Sequence, residues 1–316
     1  MVALWVILGI IGLILFAYLI ITLSVFLHVF HRDDKRVENS LHENDYLTYQ
    51  PFAETFKAYR NLFDSFNKEI ITIKSYDKTK LVGTYIEGEK KNKVVLMFHG
   101  YMSKARNDFS SMLDYYKWGT SFILVDQRGH YRSDGKYITF GYKERFDVKC
   151  WCKYIVERFG EDVQILLAGV SLGASTIMMA SDVGLPKQVV GIAADCGFVS
   201  AKQEMKFVIR NAKIPFQGLL FAGINMWAHF LGGFDIDDIK TSGALYNSDI
   251  PLLLIHGDED DFVPYESSVI NFESSRAPIK YFETFKSAVH GGSYLEHPHE
   301  YVSCVEKFLK EIKFLD

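Results

Sequence analysis

Apolar side chains dominate the first thirty positions, and residues 1–31 contain no Asp, Glu, Lys or Arg. At a rise of about 1.5 Å per residue such a stretch can cross a bilayer, for which about 20 residues suffice. It predicts an uncleaved, single-span anchor over residues 1–30. A buried core helix is the first competing reading, but the run is too long and too uniformly apolar for most core helices. A cleaved signal peptide is the second, and the basic start and small-x-small site it needs are missing. Arg32, Lys35 and Arg36 follow the run. By the positive-inside rule they lean the remainder of the chain toward the cytoplasmic face of a cell membrane.

The pattern then changes twice. Residues 31–68 are polar and mixed, with aromatics at Tyr46 and Tyr49 and a series Phe52, Phe56, Tyr59, Phe63, Phe66 at helical spacing. That series predicts a short amphipathic helix. Its polar face is not basic, which favours packing on the body over lying on a membrane. From Glu69 onward, strand-like and helix-like segments alternate. Residues 69–77 and 79–88 read as a hairpin turning at Asp77 and Lys78. Apolar strands end at His99-Gly100, Asp126, Gly169, Asp195 and His256-Gly257, with a last one over 279–285. Helical patterns suit 105–118, 141–159, 172–182 and 298–310. This alternation implies a mostly parallel α/β sheet with helices on both faces, entered through an antiparallel hairpin. Residues 198–249 interrupt it with an aromatic-rich helical insertion, longer than the dozen or so residues a crossover needs. It is expected to form a small cap over the carboxyl ends of the strands, where open α/β sheets bind ligands.

Composition narrows the picture. The 316 residues are 48% hydrophobic, enough for a large core, and the net charge of −4 gives no reason to expect nucleic acid as a partner. Cys150, Cys152, Cys196 and Cys304 form no C-x-x-C pair and no metal-ligand spacing. They read as free, packed thiols, and neither a metal nor an organic cofactor is expected.

The chemistry concentrates in Gly169-Val170-Ser171-Leu172-Gly173, directly after one strand and directly before a helix. Glycines on either side allow the close strand–helix approach that a sharp nucleophile turn needs, and the helix start offers positive potential to a forming oxyanion. Ser171 is the candidate nucleophile. The amide of Leu172 and that of Tyr101, which follows Gly100, are the candidate oxyanion donors. The acid is expected in the loop after His256-Gly257, where Asp260 is chosen; spacing does not exclude Asp258 or Asp261. The base is expected after the next strand, at His290, with His297 and His299 as nearby rivals at a helix start. Met102, Phe198, Phe216, Phe221, Trp227 and Phe262 are candidates for an apolar substrate pocket. The charged loop 126–135 reads as a structural floor.

These segments carry a resemblance. His99-Gly100-Tyr101, the loop 126–135, Gly169 to Ser175, residues 255–264 and residues 288–294 resemble, in this order, the α/β-hydrolase superfamily, over about residues 69–316. They look closest to the branch of serine aminopeptidases and prolyl-oligopeptidase-like esterases, including anchored hydrolases. The resemblance implies an α/β-hydrolase fold. It also implies that the family's H-G-x-x-D-x-x-V-P pattern falls on His256, Gly257, Asp260, Val263 and Pro264, which supports Asp260 as the acid. Tyr131 stands where the family often has a second glycine, and Val289 where it has a glycine before the final histidine. The expected activity is hydrolysis of carboxylic esters with small or medium apolar acyl groups through an acyl-serine. A serine peptidase, aminopeptidase or amidase acting on short peptides is the chemical alternative, with Glu204, Asp235, Asp237 and Asp238 available in the cap to hold an amine. A non-catalytic binding module is the alternative of a different class.

Overall fold

The computed structural model describes residues 1–39, 51–108 and 113–316. Tyr46, Tyr49 and the middle of the helix expected over 105–118 lie outside the described residues. The helices are α1 (Val2–Phe30), α2 (Asp34–Asn39), α3 (Ala53–Ser65), α4 (Ala105–Asp108), α5 (Leu113–Lys117), α6 (Glu144–Phe159), α7 (Leu172–Met179), α8 (Ala201–Val208), α9 (Gln217–Trp227), α10 (Ser242–Tyr246), α11 (Glu266–Ser274), α12 (Ser293–Glu296) and α13 (Pro298–Glu311). The strands are β1 (Glu69–Lys74), β2 (Lys80–Ile86), β3 (Lys90–Phe98), β4 (Thr120–Asp126), β5 (Gln164–Val170), β6 (Val189–Asp195), β7 (Leu252–Gly257) and β8 (Lys280–Phe285).

The strands form one sheet in the order β1-β2-β4-β3-β5-β6-β7-β8. β2 pairs antiparallel with both β1 and β4, and β3 to β8 pair parallel with one another. Alternation along each central strand divides its side chains between two cores. Val94, Leu96 and Phe98 of β3 join Ile123, Val125, Ile165 and Leu167 on the face covered by α6 and α7. Val95 and Met97 join Phe122, Leu124, Leu166 and Ala168 on the face covered by α13. Both faces are apolar because both are roofed by helices, which is why these strands read as continuous hydrophobic runs. The helix expected from the aromatic series is α3. It packs on the second face through buried Phe63, with Phe66 4.5 Å from Tyr116 and Tyr59 6.2 Å from Tyr294, ring centre to ring centre.

Residues 198–249, the expected cap, are largely helical. An antiparallel bridge between Ser200 and Lys240 closes its neck. α8 and α9 lie beyond that neck. α10 lies on the body side, packed on α7 and α11 with Leu245 buried in the first core, and serves as the crossover helix into β7.

α1 is also more than a separate segment. By length and composition it could cross a membrane. Its first part, residues 2–17, is exposed. Thr22, Phe26 and Phe30, spaced by four on one helix face, are buried. They enter a third apolar cluster with Met102, Phe140, Leu172, Phe198, Phe221 and Phe234. The helix end is then stitched to the 126–138 loop: Ile138 N donates to Phe30 O at 2.7 Å, and the Arg32 guanidinium donates to the carbonyls of Ser133 and Tyr131 at 2.5 and 2.6 Å. The end of the apolar run is thus not a packing boundary.

Candidate active site

β5 ends at Val170 and α7 begins at Leu172, so Ser171 alone makes the turn between them. Its backbone, at φ 54° and ψ −115°, lies in a region that L-residues rarely occupy. Two glycines make the turn possible. A Cβ on Gly173 would meet the carbonyl oxygen of His99 at 2.8 Å, and one on Gly169 would meet the Gly173 backbone at 2.6 Å. Two bonds hold the turn: Ser171 N donates to Asp195 O at 2.8 Å, and Ser175 N donates to Ser171 O at 3.0 Å.

His290, in the loop between β8 and α12, reaches this serine. Its Nε2 lies 3.0 Å from Ser171 Oγ and its Nδ1 2.7 Å from Asp260 Oδ2. A carboxylate at Nδ1 makes that nitrogen the donor, which leaves the Nε2 lone pair facing the hydroxyl. Asp260 is buried and accepts two further hydrogen bonds, with a second imidazole close by. The amides of Phe262 and Val263 donate at 2.9 and 2.8 Å, and His256 Nε2 lies 3.1 Å away. Burial by itself would raise the pKa of this carboxyl. The His290 and His256 imidazoles outweigh it and hold the group well below the usual carboxylate range. Asp258 instead accepts from Ser287 N at 2.5 Å, and Asp261 offers its carbonyl to Arg210. His297, at the start of α13, is bonded to Lys286 O at 2.8 Å.

The loop after β3 brings Gly100 against the serine: a Cβ on Gly100 would stand 3.6 Å from Ser171 Cβ. The Tyr101 amide follows directly. Leu172 opens α7, so its amide has no acceptor within the helix. The Tyr101 side chain points away from the hydroxyl, donating to Val29 O of α1 at 2.7 Å. His99 is fully buried, accepting from Gln127 N at 3.1 Å, and burial lowers its pKa to about 4, so it serves the loop as a neutral ring. The floor loop is held by charge pairs. Arg128 Nη2 lies 2.6 Å from Asp147 and Nη1 2.9 Å from Asp77, while Arg132 Nε lies 2.6 Å from Asp126.

The predicted pocket residues separate into two groups. Met102 and Phe198 are buried in the cluster that contains Leu172, and the Phe262 ring lies 5.1 Å from that of His290. Trp227 faces α1, where its Nε1 donates to Thr22 Oγ1 at 3.0 Å. Phe216 is 80% exposed and so walls no enclosed pocket. Phe221 lines a cavity of about 430 Å³ between α8 and α9, with Lys202, Lys206, Gln217 and Asn225. Ser171 and His290 do not line that cavity.

Three groups around the site escaped the sequence reading. Asp108 accepts from Gly100 N at 2.7 Å and from Ser103 Oγ at 3.2 Å, fixing the loop beside Ser171; burial raises its pKa to about 6. It stands eight residues past Gly100 at the end of α4, and a helical pattern does not show that its carboxyl turns back to the Gly100 amide. His256 lies at the end of β7 within the motif that carries Asp260, and nothing in that motif's spacing shows that its ring stands beside the Asp260 carboxylate. Val29 belongs to the apolar run, and its carbonyl anchors Tyr101. Among the described residues, Cys196, Asp260 and His290 also place ligand-type atoms within 4.8 Å of one another. They suit a metal poorly. Burial pushes the Cys196 thiol well above its ordinary pKa, away from the thiolate a metal needs, and Asp260 and His290 are already bonded to each other.

No protein-family model matches the chain. It is 22% identical over 248 residues to the uncharacterized protein YqkD of Bacillus subtilis (strain 168), covering 78% of this chain and 81% of that one. Among solved structures, it is similar to the Pyrococcus furiosus esterase Pf2001, at 26% identity and a TM-score of 0.64, over 78% of this chain and 92% of that one. It is similar in fold to the Rhodococcus sp. esterase RhEst1, at 18% identity and a TM-score of 0.57, over 77% and 99%. Mouse alpha/beta hydrolase domain-containing protein 10 is likewise similar, at 20% identity and a TM-score of 0.56, over 77% and 99%. Sheet order, insertion point and these likenesses agree: the chain has the α/β-hydrolase fold and shares it with esterases.

Proposed function

We propose that the chain is a serine hydrolase that cleaves carboxylic esters of small or medium apolar acyl groups and is held at a membrane by α1. The observation that carries the reading is the single imidazole of His290, 3.0 Å from Ser171 Oγ on one side and 2.7 Å from Asp260 on the other. Ser171 attacks the ester carbonyl as His290 takes its proton. The amides of Tyr101 and Leu172 hold the oxyanion, and His290 returns the proton to the leaving alcohol. Water activated by His290 then releases the acid from the acyl-serine. The likeness to a 26% identical esterase supports ester chemistry. The buried Met102 and Phe198 near Leu172 support an apolar acyl group. The length of α1 supports the anchor, and the basic residues after it support a cytoplasmic body.

The test uses the full chain in detergent or vesicles, with p-nitrophenyl esters from acetate to decanoate and a fluorophosphonate probe. Turnover and probe labelling, both abolished by Ser171→Ala, are expected. A chain that turns over none of these esters and leaves Ser171 unlabelled would sink the reading. Glu204 favours one second reading, a peptidase that holds a substrate amine: it is a buried cap carboxyl whose oxygens have no hydrogen-bond partner among the described residues. Faster turnover of aminoacyl amides than of simple esters would select it.

A further inference from the structure

We propose that the tip of the cap, residues 213–219, is a second membrane-docking element that places Phe216 and Leu219 in the interfacial layer of a lipid bilayer beside α1. The proposal rests on the reading of α1 as a membrane span.

α9 runs alongside the end of α1 in the same direction. Tyr18 Oη donates to Leu219 O at 3.0 Å, Trp227 Nε1 donates to Thr22 Oγ1 at 3.0 Å, and the Phe30 and Phe234 rings lie 5.3 Å apart. Rising numbers along α1 therefore meet rising numbers along the cap. The first turn of α9, with the bend before it, sits where α1 leaves the body. There the cap presents Phe216, 80% exposed, and Leu219, 61% exposed. At the same level Ile20 and Ile21 of α1 are still 47% and 57% exposed. The apolar surface of the span thus continues onto the cap.

Length sets the depth. Residues 2–21 measure about 30 Å as a helix, the thickness of a typical hydrocarbon core. A crossing α1 therefore brings the level of Tyr18 and Leu219 to the edge of that core. Exposed Lys213, three residues before Phe216, carries a long stem and a charge suited to lipid phosphates. An aromatic and an aliphatic side chain beside a lysine, next to a span, is chemistry that a bilayer interface receives and water does not.

The experiment uses the full chain in vesicles of phosphatidylglycerol and phosphatidylcholine. Phe216, Phe16 and Tyr246 are replaced, one at a time, by the photo-crosslinking analogue p-benzoyl-phenylalanine, and adducts are identified by mass spectrometry after irradiation. Lipid adducts are expected at 16 and at 216, with about tenfold fewer at 246 on body helix α10. Adducts at 16 but not above the 246 level at 216 overturn the docking and leave the span. Adducts at 216 to a second copy or another protein, rather than to lipid, also overturn it. Lipid adducts at neither 16 nor 216 overturn the docking together with the span. Fluorophosphonate labelling of Ser171 in the same vesicles keeps the hydrolase reading separate. Labelling without lipid adducts at 216 removes the docking alone, and lipid adducts without labelling support the docking and remove the hydrolase reading.

Discussion

Replacing Phe30 by alanine should destabilise the body of the protein, although the residue belongs to a segment that looks like a membrane anchor. Phe30 is fully buried, and its ring lies 5.3 Å from those of Phe26, Phe140 and Phe234. Truncating a fully packed Phe removes its transfer free energy and leaves a cavity, together about 3–5 kcal/mol. Domains have about 5–15 kcal/mol in total, so about a fifth or more of the stability is at stake. At about 2–4 °C per kcal/mol for a chain of this size, the melting temperature should fall by roughly 10 °C. The control is Phe16→Ala, on the same helix but 63% exposed; it should leave the melt unchanged. Both variants are compared in one mild detergent, by thermal denaturation and by retention of fluorophosphonate labelling after heating. The Tyr101 bond to Val29 lies one residue from the cavity, so Phe30→Ala should also lose labelling below its melting point. Identical melts for Phe30→Ala and Phe16→Ala would refute the claim that α1 is part of the body. By the same reasoning, a soluble form beginning at residue 32 should be poorly folded.

Other outcomes follow from the site. Asp260→Asn leaves a neutral amide that cannot enforce the Nδ1–H tautomer of His290, and kcat on a p-nitrophenyl ester, measured well below the variant's own melting temperature, should drop about 10^4-fold; a drop below about tenfold would remove Asp260 from the proposed role. Glu204 should make stability depend on pH. Burial, with the Asp260 charge adding to it, pushes its pKa up to about 8 from an ordinary 4.5. The folded chain thus binds this proton more tightly than the unfolded one. Its contribution is full below about pH 4.5 and is lost as pH rises to about 8. Glu204→Gln should flatten the fall in melting temperature between pH 5 and pH 8.5, and equal slopes for variant and parent would contradict the burial of an unpartnered carboxyl.

Much of this protein was legible in the order of its residues. Period-2 and continuous apolar runs marked the strands, because side chains on a roofed sheet must be apolar on both faces. Gly169 and Gly173 marked the turn at Ser171, because a bend that brings a strand against a helix admits no Cβ. Motif order pointed to His290 and Asp260. What the sequence left open was decided by distance. Asp258, Asp260 and Asp261 are equivalent by spacing, and only the packing of the β7 loop under His256 turns Asp260 toward His290 and the other two elsewhere. No periodic signal marks the roles of Asp108 and Val29, since their partners, Gly100 and Tyr101, come from other elements. The chain alone determined that residues 1–30 are apolar enough for a membrane. Only tertiary packing decided that the far end of that helix belongs to the protein core, because lipid and protein interior reward the same side chains, and hydrophobicity cannot tell one solvent from the other.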